Sequence, residues 1–139
     1  MEDNVMIKVV GIQAEANDGE AIELQTTGRW YHKNGKDYLL YIDHQLNIDV
    51  PTKTRVTFDG SSVSVIRSGG TNTHLLFETG VSHIIPYETA FGILEMVSST
   101  KSIDKEVSQG RIELKVTYNL EINNSDMGLN VFHITATSL

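Results

Sequence analysis

The chain has 139 residues, of which 40% are hydrophobic and 21% charged, with a formal charge of -7 and a pI near 5.1. That size and apolar mass suit one globular domain, residues 1–139, with a single core. The acidic balance argues against nucleic acid and anionic membrane surfaces as partners, since both demand a cationic footprint. The absence of cysteine removes disulfides, thiolate metal sites and cysteine nucleophiles.

The opening MEDNVMIKVV lacks the basic and apolar regions of a signal peptide, and no apolar run approaches the ~20 residues of a membrane-spanning helix, so a cytoplasmic protein is expected. Apolar runs alternate with turn chemistry and predict strands over 5–15, 21–32, 37–46, 52–59, 62–67, 74–79, 82–87, 91–103, 111–122 and 129–137. Asp18-Gly19, Asn34-Gly35 and Asp59-Gly60 read as type I′ hairpin turns, in which both central residues take positive φ. Ser68-Gly69-Gly70, Thr79-Gly80, Gln109-Gly110 and Asn123-Asn124-Ser125-Asp126 read as looser connections. Gly11 and Gly28, inside long strands, read as bends or bulges.

The stretch 111–122 is the clearest strand: Ile112, Leu114, Val116, Tyr118, Leu120 and Ile122 alternate with polar residues without exception. At ~3.3 Å per residue it is too long for a flat strand in so small a domain, which argues for coiling round a barrel. The stretch around Ala90, Ile93, Leu94 and Val97 also fits the spacing of a short helix, so strand and helix both stay open there. A meander of eight to ten strands avoids exposed edges best by closing on itself. The expected fold is therefore all-β, a single closed or nearly closed antiparallel up-and-down barrel with little or no helix.

The motifs IKVVGIQ, TTGRWYHKNGKDYLLY, VIRSGG, YETAFGILE, STKSI and GRIELKVTYNL follow one another along nearly the whole chain. In that order they resemble the YwiB-like family of uncharacterised small bacterial proteins. The resemblance implies a calycin-type barrel, similar in architecture to lipocalins and fatty-acid-binding proteins, and a cytosolic setting. It implies no activity, ligand or catalytic residue.

Function in such a barrel turns on whether the lumen is filled or empty. Val63, Val65 and Arg67 share one face of the fifth strand, and Phe91, Ile93, Glu95 and Val97 one face of the eighth. If both faces look inward, Arg67 and Glu95 form a charge-assisted pair, or Arg67 alone takes a ligand carboxylate or phosphate. Against this, Arg67 at a strand end can hold its head in water, and Leu94 and Met96 make the opposite face of the eighth strand equally apolar.

Trp30, on the Ile22 and Leu24 face, is expected inside, whereas Tyr31 and Tyr41 are expected on the other register with Arg29 and Asp43 as an exposed aromatic patch. The blander reading of the aromatics is cross-strand pairing rather than a stacking platform. Glu78 is expected outside, because Leu75 and Phe77 form the more apolar face; an acid–base couple of Glu78 and Glu95, in which burial and mutual repulsion raise one pKa, requires both to face inward. The five histidines show no metal-ligand spacing, and SGGTNT lacks the remainder of a phosphate-binding loop, so no metal and no cofactor are expected.

Two readings of different class remain. One is a carrier or sensor holding a small amphipathic anion, its tail among Trp30, Val65 and Ile93 and its head at Arg67. The other is a filled barrel working through its outer surface as a protein-interaction or structural module, as a homo-oligomer for example. A hydrolase is a distant third.

Overall fold

The computed structural model describes residues 3–13, 21–43, 50–69, 73–89 and 92–139. Ten strands follow in chain order: β1 (Val5–Gln13), β2 (Ala21–Lys33), β3 (Lys36–Asp43), β4 (Thr52–Phe58), β5 (Ser62–Gly69), β6 (Thr73–Glu78), β7 (Ser82–Thr89), β8 (Gly92–Ser108), β9 (Arg111–Ile122) and β10 (Ser125–Ser138). They form one antiparallel sheet in the order β6-β5-β4-β3-β2-β1-β10-β9-β8-β7. This is the chain order read round a ring that is joined between β1 and β10 and unpaired between β6 and β7. The molecule is thus a nearly closed up-and-down barrel, with no helix among the described residues. The segment open to a helical reading belongs to β8 from Gly92 onward, and Ala90 and Phe91 lie outside the described residues.

Turn chemistry explains the connections, with two differences from the sequence reading. Asn34 and Gly35 take φ of 54° and 77°, as a type I′ turn requires. Asn123 and Asn124 also take positive φ, 49° and 69°, so the β9–β10 link is tight rather than loose: asparagine tolerates the left-handed region where most residues do not. Asp59, by contrast, stays out of positive φ. Its carboxylate builds the turn instead, accepting the backbone N–H groups of Ser61 (3.0 Å) and Ser62 (2.7 Å), and these bonds hold its pKa at about 2. Asp18-Gly19 lies outside the described residues.

Gly28 corrects a second expectation. It pairs in unbroken register with Val5 and Tyr41, so it is no bulge. A Cβ there would collide with the Leu40 carbonyl oxygen and the Ile7 side chain, so the absence of a side chain lets β1, β2 and β3 close up. A real irregularity sits in β8, where the register with β9 shifts between Thr100 and Ser102. One extra residue exchanges the faces. Before the bulge Leu94, Met96, Ser98 and Thr100 turn inward; after it Ile103 and Lys105 do.

The middle of the barrel is dry. Ile7, Leu39, Val56, Val63, Val65, Leu114, Val116 and Ile134 are each at most 2% exposed and form one continuous cluster. Burying each such side chain contributes roughly 1.5–3 kcal/mol. The strand pairing fixes their level, since Leu39, Val56 and Val65 lie opposite one another across β3, β4 and β5.

Candidate functional site

Three inward-facing rows cross β2 to β6 and change character from one end of the barrel to the other. The first is His32–Asp37–Phe58–Val63–Phe77, the second Trp30–Leu39–Val56–Val65–Leu75, and the third Gly28–Tyr41–Thr54–Arg67–Thr73. The first row marks the near end, where the β2–β3 and β4–β5 hairpins turn. The second belongs to the apolar middle, and the third opens the far end.

At the near end an ion pair crosses the interior. Lys105, turned inward by the β8 bulge, places Nζ 2.6 Å from Asp37 Oδ2 on the opposite wall and 4.6 Å from the centre of the Phe58 ring. Asp37 Oδ1 meanwhile accepts Trp30 Nε1–H (3.2 Å) and lies 3.0 Å from His32 Nδ1. Burial pushes the Asp37 pKa up, but the hydrogen bonds from Lys105, His32 and Trp30 outweigh it and hold the carboxyl below its ordinary value. A buried charge with partners on both oxygens is internally satisfied. This cluster is a structural floor, and sequence reading missed it because the charged run Asp104-Lys105-Glu106 looks like solvated strand until the bulge is known.

The far end is built differently. Arg67 lies on the inner face of β5, between Thr54 and Thr73 in the ladder, and makes no ion pair with any described carboxylate. Two phenols feel its charge: the buried Tyr41 on the adjoining wall and the half-buried Tyr118 on β9. Burial raises both phenol pKa values, while the Arg67 cation pulls them back; Asp43, on the inner face of β3, adds to the rise at Tyr41. Tyr118 reaches across to Phe77, with ring centroids 4.8 Å apart and planes tilted by 47°. On the inward faces of β4, β6 and β8, the hydroxyls of Thr52, Thr73, Ser98 and Thr100 are shut off from solvent without a hydrogen-bond partner. Thr100 and Tyr118 stand opposite each other in the ladder, next to the buried Asn130.

The candidate residues read from the sequence therefore part company. Arg67 and Val65 face inward as expected, Val65 at 1% exposure within the packed middle. Trp30 packs against the core and is engaged by Asp37. Ile93 (72% exposed) and Glu95 lie on the outer side of β8, so the Arg67–Glu95 pair is not formed. The choice of face failed because both faces of 91–97 are apolar, and Leu94 and Met96 took the inside. Glu78 also faces outward, which leaves no Glu78–Glu95 couple in the lumen. Tyr41 is buried at 6% exposure, against expectation, while Tyr31 stacks on Tyr38 outside, with centroids 4.8 Å apart. The signal for Tyr41 was present: a two-residue turn at Asn34-Gly35 pairs Trp30 with Leu39 and Gly28 with Tyr41, so an inward Trp30 carries Tyr41 inward. No cluster of His, Asp and Glu fit for a metal occurs among the described residues, and His44 lies outside them. No helix among them is long and apolar enough to cross a membrane.

Comparison with known proteins agrees with this architecture. The chain is 32% identical over 135 residues to the uncharacterized β-barrel protein YwiB of Bacillus subtilis (strain 168), covering 96% of this chain and 93% of that one. It superposes on the crystal structure of the B. subtilis ywiB protein with a TM-score of 0.82 at 30% identity, covering 99% of this chain and 92% of the other. The profile of a domain of unknown function, DUF1934, matches residues 7–134. With its barrel, its motifs and nearly its whole length accounted for, the chain belongs to the DUF1934 family of YwiB-like β-barrel proteins.

Proposed function

We propose that the protein binds a compact polar anion, of the small hydroxy-acid class, in the far half of its barrel with the anionic group on Arg67. The carrying observation is the company Arg67 keeps. A half-buried cation on the inner face of the barrel, with no ion pair among the described residues, close enough to two phenols to act on both and at the end where several hydroxyls lack partners, is costly as a purely structural arrangement. Each unsatisfied buried hydroxyl alone costs about 1–3 kcal/mol. A ligand carboxylate accepting from the guanidinium fork, with its own hydroxyls bonded to Thr52, Ser98 or Thr100, removes those costs together.

The same geometry narrows the ligand class. A long aliphatic tail has nowhere to go, because the apolar middle is already filled by Leu39, Val56, Val65 and Val116 and the floor beyond it is closed by Asp37 and Lys105. Ile93, assigned to the tail by sequence, is on the outside. The amphipathic carrier thus contracts to a site for the head group alone. Thermal unfolding in the presence of lactate, malate and decanoate tests this. A short hydroxy acid at about 100 times its dissociation constant should add about 2.7 kcal/mol of stability. Arg67→Met should abolish the gain and decanoate should give none. Equal stabilisation of the Arg67→Met variant, or of all proteins by decanoate alone, contradicts the reading.

A further inference from the structure

The charge of this chain is unevenly distributed over its outside. The formal charge is -7, yet the outer face of β2, β3 and β4 carries Arg29, Lys33, Lys36, Lys53 and Arg55, none of which is ion-paired among the described residues. Elsewhere on the outside Lys8 pairs with Glu23 at 3.5 Å and Arg111 with Glu113 at 2.7 Å, while Lys101 on β8 and Lys115 on β9 make no ion pair among the described residues. The acids Glu95, Asp104, Glu106, Glu113 and Glu121 gather on β8 and β9. Between the basic side chains lie apolar surfaces of an unusual kind for a soluble face: the parallel-stacked Tyr31 and Tyr38, Leu40, and Ile42 at 44% exposure. Strand pairing sets Arg29 and Arg55 on either side of Leu40, and Lys53 beside Ile42. Arg29, Lys53, Leu40 and Ile42 all line one depression of about 420 Å³. Asp3 is the acid that lines it, and Thr27 Oγ1 donates to its carboxylate at 2.9 Å.

We infer that this face binds single-stranded nucleic acid. Phosphates would meet the five unpaired cations, and bases would stack on the exposed faces of the Tyr31–Tyr38 pair and lie over Leu40 and Ile42. The whole-chain charge, which argues against such a partner, averages over the surface, whereas binding follows the local field. An acidic polypeptide would use the cations equally well but would leave the tyrosine pair without a role. The site is on the outside of the sheet and is separate from the Arg67 lumen.

The test is fluorescence anisotropy with a labelled oligouridylate of about twelve nucleotides, within the ~4–16 nucleotide range of single-strand sites. Binding should weaken steeply with salt. Arg29→Glu combined with Arg55→Glu should lower affinity at least tenfold and flatten the log–log salt dependence by roughly 0.7 for each phosphate no longer engaged. Tyr31→Ala should lower affinity about tenfold while leaving that slope unchanged, a result that electrostatics alone does not produce. Arg67→Met, inside the barrel, should bind normally. Circular dichroism melts check that each variant is folded. Absence of binding, or binding indifferent to the charge reversal or to Tyr31→Ala, overturns the inference. So does tighter binding of a labelled oligoglutamate peptide, which would assign the face to an acidic polypeptide.

Discussion

Asp37 and Tyr41 lie on one face of one strand, four residues and about 13 Å apart, and they mark two different treatments of polar groups inside the same barrel. At the Asp37 end every inward polar group has a protein partner: lysine, histidine and indole converge on one carboxylate. At the Tyr41 end the cation Arg67 has no described counter-ion and the hydroxyls of Thr52, Thr73, Ser98 and Thr100 have no partner. Satisfied polar groups specify a fold, and unsatisfied ones are kept for something else. The contrast separates the part of the lumen that holds the barrel shut from the part free to recognise a ligand.

Replacing Lys105 should break that contrast most severely. Lys105→Met retains the stem over Phe58 but leaves the nearly buried Asp37 with two of its three partners, and should cost about 3 kcal/mol in urea unfolding. Adding Asp37→Leu should recover most of the loss, since a buried pair exchanged as a unit for apolar groups is close to neutral. Gly28→Ala, on the row of Arg67, comes next. Its Cβ meets the Leu40 carbonyl oxygen, which cannot swing aside, as well as the Ile7 side chain, and the overpacking should cost about 2 kcal/mol by the same measurement.

The far end should respond in the opposite sense. Arg67→Met removes a cation with no acid partner among the described residues, and unfolding should show stability unchanged or raised by up to about 1 kcal/mol while ligand binding is lost. The smallest effects are in the titrations. Tyr41 and Tyr118 have folded pKa values above the ordinary 10.0, so the neutral phenols stabilise the fold below the ordinary value and that contribution disappears as pH rises through the folded one. Tyrosinate absorbance should show two late-ionising phenols, later still in Arg67→Met because the cation pulls both down. At the acid side Asp59, about 2 when folded against 3.8, stabilises above the ordinary value and loses its effect as pH falls through the folded one. Asp59→Asn should flatten that limb of the acid-unfolding curve.

Much of the fold was legible because period-two patterning is strong where one face is buried: β9 alternates without exception and reports the core directly. The near-end floor was not, and the reason is a single residue. The extra residue at the β8 bulge reverses the facing of everything after it, carrying Lys105 inside, and no composition signal announces a bulge. Ile93 and Glu95 were misplaced for a second reason, since strand 91–97 is apolar on both sides and only the neighbouring strands decide. Arg67 was readable because Val63 and Val65 share its face. Its hydroxyl neighbours were not, since threonine and serine on β4, β6 and β8 read as ordinary strand residues, and β8 comes to this side only through closure of the ring.

The most direct measurement is native mass spectrometry of the protein purified gently from its own host, followed by denaturation to release and weigh what it carries. The account predicts a stoichiometric small acid of low mass, present with Lys105→Met and absent with Arg67→Met. A bare chain under conditions that preserve weak complexes, or a bound species that survives the loss of Arg67, would contradict it.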